Sequence, residues 1–595
     1  MADRIAPRRR LYRTLRRLGG RALRRVPLLR SLLLDQFDPR HPAAYRAWLR
    51  RHDRLTPADQ AAIRAQVARL PHLVLTLLVP GDAGVAGLAM SLLGQLYPHW
   101  RLRIVGAAPA GLPADPRISH GETVSLAEDG FVGVLPADAR LAPHALYVFA
   151  AELARQPETD LLYCDEDRLD GQDRRHAPLF KSGWSIDLLH GQEALGDLVL
   201  MRATALRRAG GIGALAAWHD RALRLGEIVP EARIRHLPWV LVHRRAAPGA
   251  RPADAAAVQQ HLARSGETAA VTALPGGMLR LRRPRPARPP LVSVIIPTRD
   301  AAALLARAAA GVLERTDWPA LELIIADNGS SDPVALALLT RLAADPRVRV
   351  LRLPGPFNYA ALNNRAAAQA RGEILVLLNN DVDIIGADWL DELVAQAMRP
   401  EVGAVGAKLL YANGTLQHGG VALGVSGVAG HVELLAAGDA AGYGGRLAVV
   451  REVAAVTAAC LALRRDVFDA VGGLDAEHLA VAYNDVDLCL RIRARGWRVL
   501  WTPFAEMFHL ESASRPFDLA PAQVERYRRE VAYMTRRWGA ALLADPYYGA
   551  NFSLRDGLYA LGAPRREKPW RAGPATDGRA AARSAPVLAG VSSGD

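Results

Sequence analysis

The sequence predicts an α/β protein with two domains of related fold, and three observations support this prediction. Apolar runs of strand length, such as Leu73–Val79 and Leu291–Ile296, alternate with segments of helical periodicity. Such alternation is typical of a largely parallel sheet that binds ligands at the carboxyl ends of its strands. The same order of elements occurs twice along the chain. A length of 595 residues also exceeds one ordinary hydrophobic core, so several domains are expected.

The composition excludes several classes of protein. With 50% hydrophobic and 23% charged residues, the chain is not a disordered, collagen-like or coiled-coil protein. Its three widely spaced cysteines exclude a disulfide framework or a zinc finger and suit a reducing compartment. No apolar run reaches membrane-spanning length, and the Arg-rich start lacks the features of a secretory signal. We therefore expect a cytoplasmic protein that does not span the membrane.

The net charge of +15 lies at the two ends of the chain. Residues 1–51 carry +12 and residues 563–595 carry +3, so residues 52–562 are neutral. Without a basic stripe or a recognition motif in this neutral part, no nucleic-acid partner is expected. Arg and Leu alternate in helix-compatible order near the start, which favours residues 1–34 as a segment on an anionic inner membrane surface. The alternative is a solvated Arg-rich tail.

The pattern along the chain divides it into five parts. A basic helical segment precedes the first α/β domain, and the second α/β domain follows a Pro/Arg-rich linker that contains RLRRPRPARPP. An Ala/Gly/Ser/Pro/Arg-rich end is expected to be disordered. In order, these parts are residues 1–70, 71–248, 249–290, 291–555 and 556–595.

An internal repeat relates the two α/β domains. LVLTLLVP in the first domain parallels LVSVIIP in the second. Asp220 falls where Asp485 falls and His243 where His509 falls, with 23 residues between the first pair and 24 between the second. The alternative is that any two α/β domains look alike. Several matches in one order favour a duplication.

Polar residues follow the first two strands of the second domain. Pro297–Asp300 comes after Leu291–Ile296, and Asp327–Asp332 (DNGSSD) follows the strand Leu321–Ala326. Because these strand ends share one edge of the sheet, the residues could bind a ribose, a base edge or a phosphate. The alternative for the Asp-Asn-Gly-Ser cluster is an ordinary turn.

Acidic residues follow two later elements of the same domain. The apolar strand Ile374–Leu378 leads into Asn379–Asp383 (NNDVD), whose carboxylates could hold Mg²⁺ or Mn²⁺ on a diphosphate. The alternative is a solvated loop with helix-capping acids. Asn484–Asp487 (NDVD) opens a helix, where acids are also ordinary capping residues. His509 could be a ligand, although a lone histidine more often packs.

Several longer motifs occur in one order along the chain. Those of the second domain are SVIIPTRD, FNYAALNN, GEILVLLNND, QHG, VTAAC, VGGLD, NDVDLCL and DPYY, and those of the first are LLYCDED, Phe180-Lys181 and His243-Arg244. With these motifs, residues 291–555 closely resemble the family 2 glycosyltransferases, which have the GT-A fold. Residues 71–248 resemble the preceding, shortened GT-A-like domain of a bacterial subgroup linked to O-antigen and other surface polysaccharides.

The resemblance implies inverting transfer of a hexosyl or deoxyhexosyl group from a nucleotide diphosphate sugar to a hydroxyl of a glycan or lipid-linked acceptor. It also implies a role for each matching residue, with a divalent Mn²⁺ or Mg²⁺ as cofactor. Asn379 replaces the first acid of the family's D-x-D, and Asn484 replaces the acid that often precedes the base, which leaves metal coordination open. The implied roles are nucleotide binding by Thr298, Asp300, Asp327 and Ser330, metal binding by Asp381, Asp383 and His509, general base catalysis by Asp485, and donor or acceptor proximity for Asn379, Asn380, Asn484 and Asp487.

The first domain departs from this pattern. No Asp-Asn-Gly-Ser segment follows its second strand, although Asp138, Asp220 and His243 remain at matching places. We expect a degenerate domain that scaffolds or helps to bind the acceptor, and the alternative is a second active transferase. We also expect the Gly- and Ala-rich segment Gln417–Gly445 to be a mobile acceptor-side loop. For the whole protein, the alternatives are a non-catalytic scaffold of a polysaccharide assembly complex and a nucleotidyltransferase.

Overall fold

The computed structural model describes residues 38–39, 41–82, 84–122, 130–213, 215, 217–246, 249, 251–510 and 521–571. The predicted membrane-surface segment 1–34 and residues 572–595 of the predicted tail lie outside these ranges. Among the helices of the described ranges, none combines the length and the apolar character that crossing a bilayer requires.

The first unit is a nine-stranded mixed sheet with helices on both sides. Its strands lie in the order β3-β2-β1-β4-β8-β6-β9-β5, with β7 paired to β6. The strands are β1 Leu75–Pro80, β2 Trp100–Val105, β3 Ile118–Gly121, β4 Phe131–Val134, β5 Arg140–Leu141, β6 Leu161–Leu169, β7 Arg175–Leu179, β8 Val199–Arg202 and β9 Ile234–Arg244. The helices are α1 Pro42–Trp48, α2 Pro57–Val67, α3 Val85–Leu93, α4 Ala145–Arg155, α5 Ile186–Gly191, α6 Ala203–Arg208 and α7 Trp218–Ile228.

Residues between the two sheets are folded. They form α8 Ala255–Ser265 and the antiparallel hairpin of β10 Ala270–Ala273 and β11 Leu279–Arg282. Asp254 caps α8 through its side chain, and Val258 and Leu262 of this helix are buried against the first unit. Residues 249–290, predicted as a Pro/Arg-rich linker, therefore contain a packed helix and a hairpin. The run Arg280–Pro290, predicted to be extended, contributes its first three residues to β11.

The second unit repeats the same architecture with ten strands, ordered β14-β13-β12-β15-β22-β17-β23-β16, with β18 on β17 and β21 on β23. The strands are β12 Val292–Thr298, β13 Leu321–Asp327, β14 Val348–Arg352, β15 Ile374–Leu378, β16 Val382–Ile384, β17 Val402–Leu410, β18 Leu416–His418, β21 Arg451–Glu452, β22 Cys460–Arg464 and β23 Arg498–His509, and a separate hairpin joins β19 Val421–Leu423 to β20 Ala429–His431. The helices are α9 Ala302–Glu314, α10 Pro333–Leu342, α11 Tyr359–Ala367, α12 Trp389–Ala397, α13 Arg465–Ala470, α14 Asn484–Ala494 and α15 Pro521–Trp538.

The two sheets have one topology. Strands β1 to β4 correspond in order and direction to β12, β13, β14 and β15, and each set is parallel. In both sheets an antiparallel strand then joins this set to a parallel pair, β6 with β9 or β17 with β23. The α/β prediction is confirmed, and the sequence repeat corresponds to a repeat of the fold.

The burial of its strands explains why the strands of the second unit could be predicted from the sequence. Every residue of β12, β13, β15 and β17 is buried, as expected for strands covered by helices on both faces. Helix α10 begins where its signals predict, with Asp332 as a side-chain cap and Pro333 at the first position.

The two units pack into each other through an aromatic cluster. Its rings come from α1, the first unit, the segment 417–445 and the closing segment 545–571, and they are Tyr45, Trp48, Phe180, Tyr443, Tyr548, Phe552 and Tyr559. Val425 and Val432 are buried in the same cluster. The segment 417–445 is thus packed between the units, contrary to the mobile loop that its Gly and Ala content predicted.

Residues 556–571 of the closing segment are packed against the rest of the protein, whereas the sequence predicted a disordered tail from residue 556. Trp570 is buried against Trp239 of β9, with ring centroids 5.3 Å apart, and its Nε1 donates to Asp59 of α2 over 2.8 Å. Arg566 stacks over the same Trp239 ring at 3.8 Å. The end of the described chain therefore ties α1 and α2 to the first unit.

Candidate functional site

The site lies where the carboxyl ends of β12, β13 and β15 meet. Thr298 and Asp327 are paired across the β12–β13 ladder, each as the last residue of its strand. Asn380, which follows β15, donates from Nδ2 to Thr298 Oγ1 over 3.1 Å. Three segments separated along the sequence therefore meet at one edge, as the parallel order predicts.

The residues predicted to bind the nucleotide form one hydrogen-bonded group. Asp327 is fully buried and accepts hydrogen bonds from the amide and hydroxyl of Ser330. Its carboxylate also pairs with Arg352, the last residue of β14, at 2.6 Å. Asp300, in the left-handed region at φ 47°, accepts from the amides of Ser331 and Asp332 over 2.6 and 2.8 Å. These amide hydrogen bonds lower the pKa of Asp300.

Asp381 and His509, both predicted metal ligands, lie close together where β15 and β23 end. His509 Nε2 lies 3.0 Å from Asp381 Oδ1, and its Nδ1 lies 2.6 Å from Gln417 Oε1. Asn379 Nδ2 lies 3.3 Å from the same His509 Nε2. The Asp381 carbonyl accepts from the amide of Leu510 over 2.9 Å, which fixes the two strand ends against each other.

Asp383 does not join this group. It lies within β16, where Val382 and Ile384 are buried, so strand alternation turns its carboxylate outward to Arg315 at 2.6 Å. Its predicted role as a metal ligand is wrong on this geometry. In the described ranges, three or more His, Cys, Asp or Glu side chains do not gather at any point that could hold a metal ion.

Asp485 lies in the first turn of α14 and faces the segment before β22. Its carboxylate accepts from the amide of Ala458 over 3.1 Å and from that of Val486 over 2.8 Å. The next residue, Ala459, accepts from the amide of Asn379 over 3.0 Å. The adjacent residues Ala458 and Ala459 therefore connect Asp485, the predicted base, to Asn379, which contacts His509.

The turn before α14 is strained and is held by α15. Tyr483 has φ 62°, a region that non-glycine residues rarely adopt. Just before it, the amides of Val481 and Ala482 donate to the buried Glu530 over 2.9 and 3.2 Å. The Tyr483 hydroxyl meets that of Tyr527 at 2.8 Å. Helix α15 thus fixes the backbone that presents Asp485.

The neighbouring acid and amide of α14 have structural contacts. Asp487 is fully buried, pairs with Arg491 at 2.7 Å and accepts from Trp538 Nε1 over 2.9 Å. Asp487 thus joins α14 to α15, and its predicted proximity to the donor or acceptor stays a prediction. Asn484 is buried and donates to the Val481 carbonyl over 3.0 Å, so it closes the helix-opening turn.

The matching residues of the first unit are all paired. Asp138 pairs with Arg244 at 2.9 Å, and Asp220 pairs with Arg224 at 2.7 Å. His243 Nδ1 lies 2.6 Å from Asp167, which also accepts from the Tyr45 hydroxyl over 2.7 Å. The acids of the LLYCDED motif are fully buried, and their partners include Lys181, Arg168, Arg175, His236 and Asn551.

Sequence reasoning missed the partners that orient these groups. Arg352 carries no sequence signal except that an acid ends the neighbouring strand. Gln417 is part of the QHG motif and of the predicted loop 417–445, without a predicted partner. Glu530 gave no signal, because its contacts are to backbone amides 48 and 49 residues away.

The fold and the site define a class of protein. It is a mixed-sheet α/β protein whose second unit carries acids, a histidine and small polar residues at the carboxyl ends of its strands. The model of glycosyl transferase family 2 matches residues 293–472, which hold most of this sheet edge. Residues 293–472 of the second unit therefore form a domain of glycosyl transferase family 2, and the predicted GT-A class agrees with the mixed sheet.

Individual comparisons agree with the family. The O-antigen biosynthesis protein RfbC of Myxococcus xanthus is 37% identical over 588 residues, which cover 90% of this chain and 45% of RfbC. The N-acetylglucosaminyl-diphospho-decaprenol L-rhamnosyltransferase of Mycobacterium tuberculosis is 27% identical over 271 residues, covering 42% of this chain and 86% of that enzyme. The chain spans 66% and 45% of the two curated relatives that are 37% identical to it.

Among solved structures, the mannosyltransferase PcManGT from Pyrobaculum calidifontis, in complex with GDP-Man and Mn²⁺, is similar to this chain. Its TM-score is 0.32 at 20% identity, and the match covers 43% of this chain and 65% of PcManGT.

Proposed function

We propose that the second unit transfers a sugar from a nucleotide diphosphate sugar to a hydroxyl of a glycan or lipid-linked acceptor, in bacterial surface polysaccharide synthesis. The observation that carries this proposal is the meeting of Asp327, Asp381, His509 and Asp485 around the carboxyl ends of the strands. The relatives named for O-antigen biosynthesis and for rhamnosyl transfer to a lipid diphosphate support the choice of acceptor class.

The pair of Asp381 and His509 fits a divalent cation, Mn²⁺ or Mg²⁺. Asp381 would supply a carboxylate oxygen and His509 a ring nitrogen to such a cation. Asp381 Oδ1 and His509 Nε2 are 3.0 Å apart. Such cations often take only one or two protein ligands and complete their shell with substrate phosphates and water. When bound, the cation would neutralise the charge that grows on the leaving diphosphate.

The chain's own residues hold the two substrates and move one proton. Asp327, Asp300, Ser330 and Thr298 offer acceptor and donor groups to the nucleoside at the ends of β12 and β13. The acceptor oxygen attacks the anomeric carbon as the bond to the diphosphate breaks, and its proton passes to a carboxylate within hydrogen-bond reach. Asp485 is that base, because the amides of Ala458 and Val486 fix its position.

The first unit is proposed to be non-catalytic. Asp138 and Asp220 are bound to arginines, and His243 is bound to Asp167. Asp167 is fully buried, so a substrate that displaced His243 would remove a partner from a buried carboxylate, which is unfavourable. We assign it a scaffold role for residues 417–445, which it contacts directly.

The basic start of the chain suggests where the enzyme works. We propose that residues 1–34 bind the anionic inner surface of the cell membrane, where a lipid-linked acceptor would lie. The net charge of +12 over residues 1–51 supports this placement. Deleting residues 1–34 should release the protein from liposomes containing acidic phospholipids, and unchanged liposome binding would contradict it.

The test of the transferase is turnover of a donor sugar. The purified protein with Mn²⁺ or Mg²⁺ is incubated with uridine, thymidine and guanosine diphosphate sugars, and the released nucleoside diphosphate is measured. We expect one donor to be consumed, and Asp485→Asn to lower its turnover about 100-fold or more. The same variant should still bind the nucleotide by calorimetry, because Asp485 lies on the acceptor side.

The matched control is Glu477→Gln. Glu477 is an exposed acid in the segment before α14, 86% exposed, and its removal should leave turnover unchanged. Turnover retained in Asp485→Asn would refute the base assignment. Absence of nucleotide-sugar binding by the wild-type protein would favour a non-catalytic scaffold, and release of pyrophosphate would favour nucleotidyl transfer.

A further inference from the structure

Gln417 lies behind the proposed metal ligand His509. It is the middle residue of β18, which pairs with β17, and β17 in turn pairs with β23, the strand that ends in His509. Its side chain is buried, at 4% exposure, and Oε1 lies 2.6 Å from His509 Nδ1. The two residues are 92 positions apart in sequence.

This contact bears on which imidazole nitrogen carries the proton. In this orientation the Gln417 carboxamide turns its oxygen to His509 Nδ1, and because that oxygen can only accept a hydrogen bond, Nδ1 is the donor. A neutral imidazole has one N–H group, which leaves a lone pair on Nε2. Asn379 Nδ2, an amide donor, lies 3.3 Å from Nε2 and agrees with that lone pair, and Asp381 Oδ1 lies 3.0 Å from the same nitrogen.

We propose that Gln417 is a positioning residue that fixes His509 in the Nδ1–H tautomer and in its ring orientation, so that Nε2 and Asp381 together bind the divalent cation. The inference rests on the proposed function, because it deepens the metal side of that site. An acceptor behind a metal-binding histidine acts in this way in many metal sites, and its loss costs about 10–100-fold in metal affinity.

The experiment measures binding of Mn²⁺ alone to the full-length protein, from the free-ion signal in electron paramagnetic resonance. Gln417→Leu keeps the volume and removes the acceptor, so Mn²⁺ affinity should fall about 10–100-fold. Gln417→Glu keeps an acceptor-only oxygen, so it should hold most of the affinity that the Leu variant loses. A residue needed only for packing would lose affinity equally in both variants.

A second buried glutamine provides the matched control. Gln192 is 5% exposed and donates to the Gly444 carbonyl over 2.9 Å, away from His509. Gln192→Leu should leave Mn²⁺ affinity unchanged. Thermal melting of each variant establishes that it is folded.

The tautomer is read directly by nitrogen-15 NMR of histidine-labelled protein without metal, with His509→Asn to assign the signal. A proton on Nδ1 supports the proposal, and a proton on Nε2 overturns it. Equal Mn²⁺ affinity of the wild type and Gln417→Leu also overturns it. These results are separate from the proposed function, since failure to consume any nucleotide sugar would leave the Mn²⁺ and NMR measurements intact.

Discussion

The hydroxyl of Tyr443 bridges the two units, and removing it tests whether they form one packed structure. It donates to the Pro178 carbonyl over 2.7 Å and accepts from the Phe180 amide over 3.0 Å. Its ring is 4% exposed and lies 5.0 Å from Phe552 and 5.3 Å from Tyr559, measured between ring centroids.

Tyr443→Phe keeps the ring and deletes only the hydroxyl. One buried amide and one buried carbonyl then lose a partner, and each such loss costs about 1–3 kcal/mol. The free energy of unfolding should fall by about 2–4 kcal/mol when allowance is made for relaxation. For a cooperative unit of about 200 residues this lowers Tm by roughly 5–10 °C.

The assay is thermal unfolding followed by circular dichroism, with Tyr527→Phe as the control. Tyr527 is 47% exposed, and its hydroxyl bonds to that of Tyr483, so its loss should change stability by less than about 0.5 kcal/mol. An unchanged Tm in Tyr443→Phe would refute the reasoning that the bridge couples the units.

Two further predictions concern the unit interface and the closing segment. Burial and the nearby Asp187 raise the pKa of Glu452 to about 8, so the folded protein keeps a proton that the unfolded chain releases near pH 4.3. The free energy of unfolding should therefore fall as pH rises between these two pKa values. Glu452→Gln removes this titration, so its stability relative to the wild type should rise between pH 5 and pH 9. A difference in Tm between the two proteins that does not depend on pH would contradict this. Trp570→Ala should cost about 3–5 kcal/mol because it empties a buried aromatic site. Leu543→Ala, at a side chain 57% exposed, should cost little, and equal Tm values for the two variants would argue against an ordered closing segment.

Much of the fold could be predicted because local sequence patterns indicate its strands and helices. Continuous apolar runs mark β12, β13 and β15, since these strands are buried on both faces. Their order also places Thr298 and Asp327 side by side, because parallel strands end at one edge of the sheet. The neutral body and basic ends follow from composition alone.

Partners distant in sequence could not be predicted in this way. Asp381 and Asp383 have the same local pattern, yet one contacts His509 and the other Arg315. The difference arises because Asp381 precedes β16, whereas strand alternation turns Asp383 to the outer face. The family resemblance implies that Asp487 lies near the donor or acceptor, and only the structure shows that its carboxylate binds Arg491 and Trp538.

The sequence by itself determined the α/β class, the duplication and the set of strand ends that carry the candidate site. Only the tertiary structure decided which of those residues meet, that segment 417–445 is held between the units, and that residues 249–290 and 556–571 are largely packed. The physical reason is that periodicity records whether a residue is buried but not what it is buried against. Gln417 and His509 show this most plainly, since their contact depends on the order of three strands.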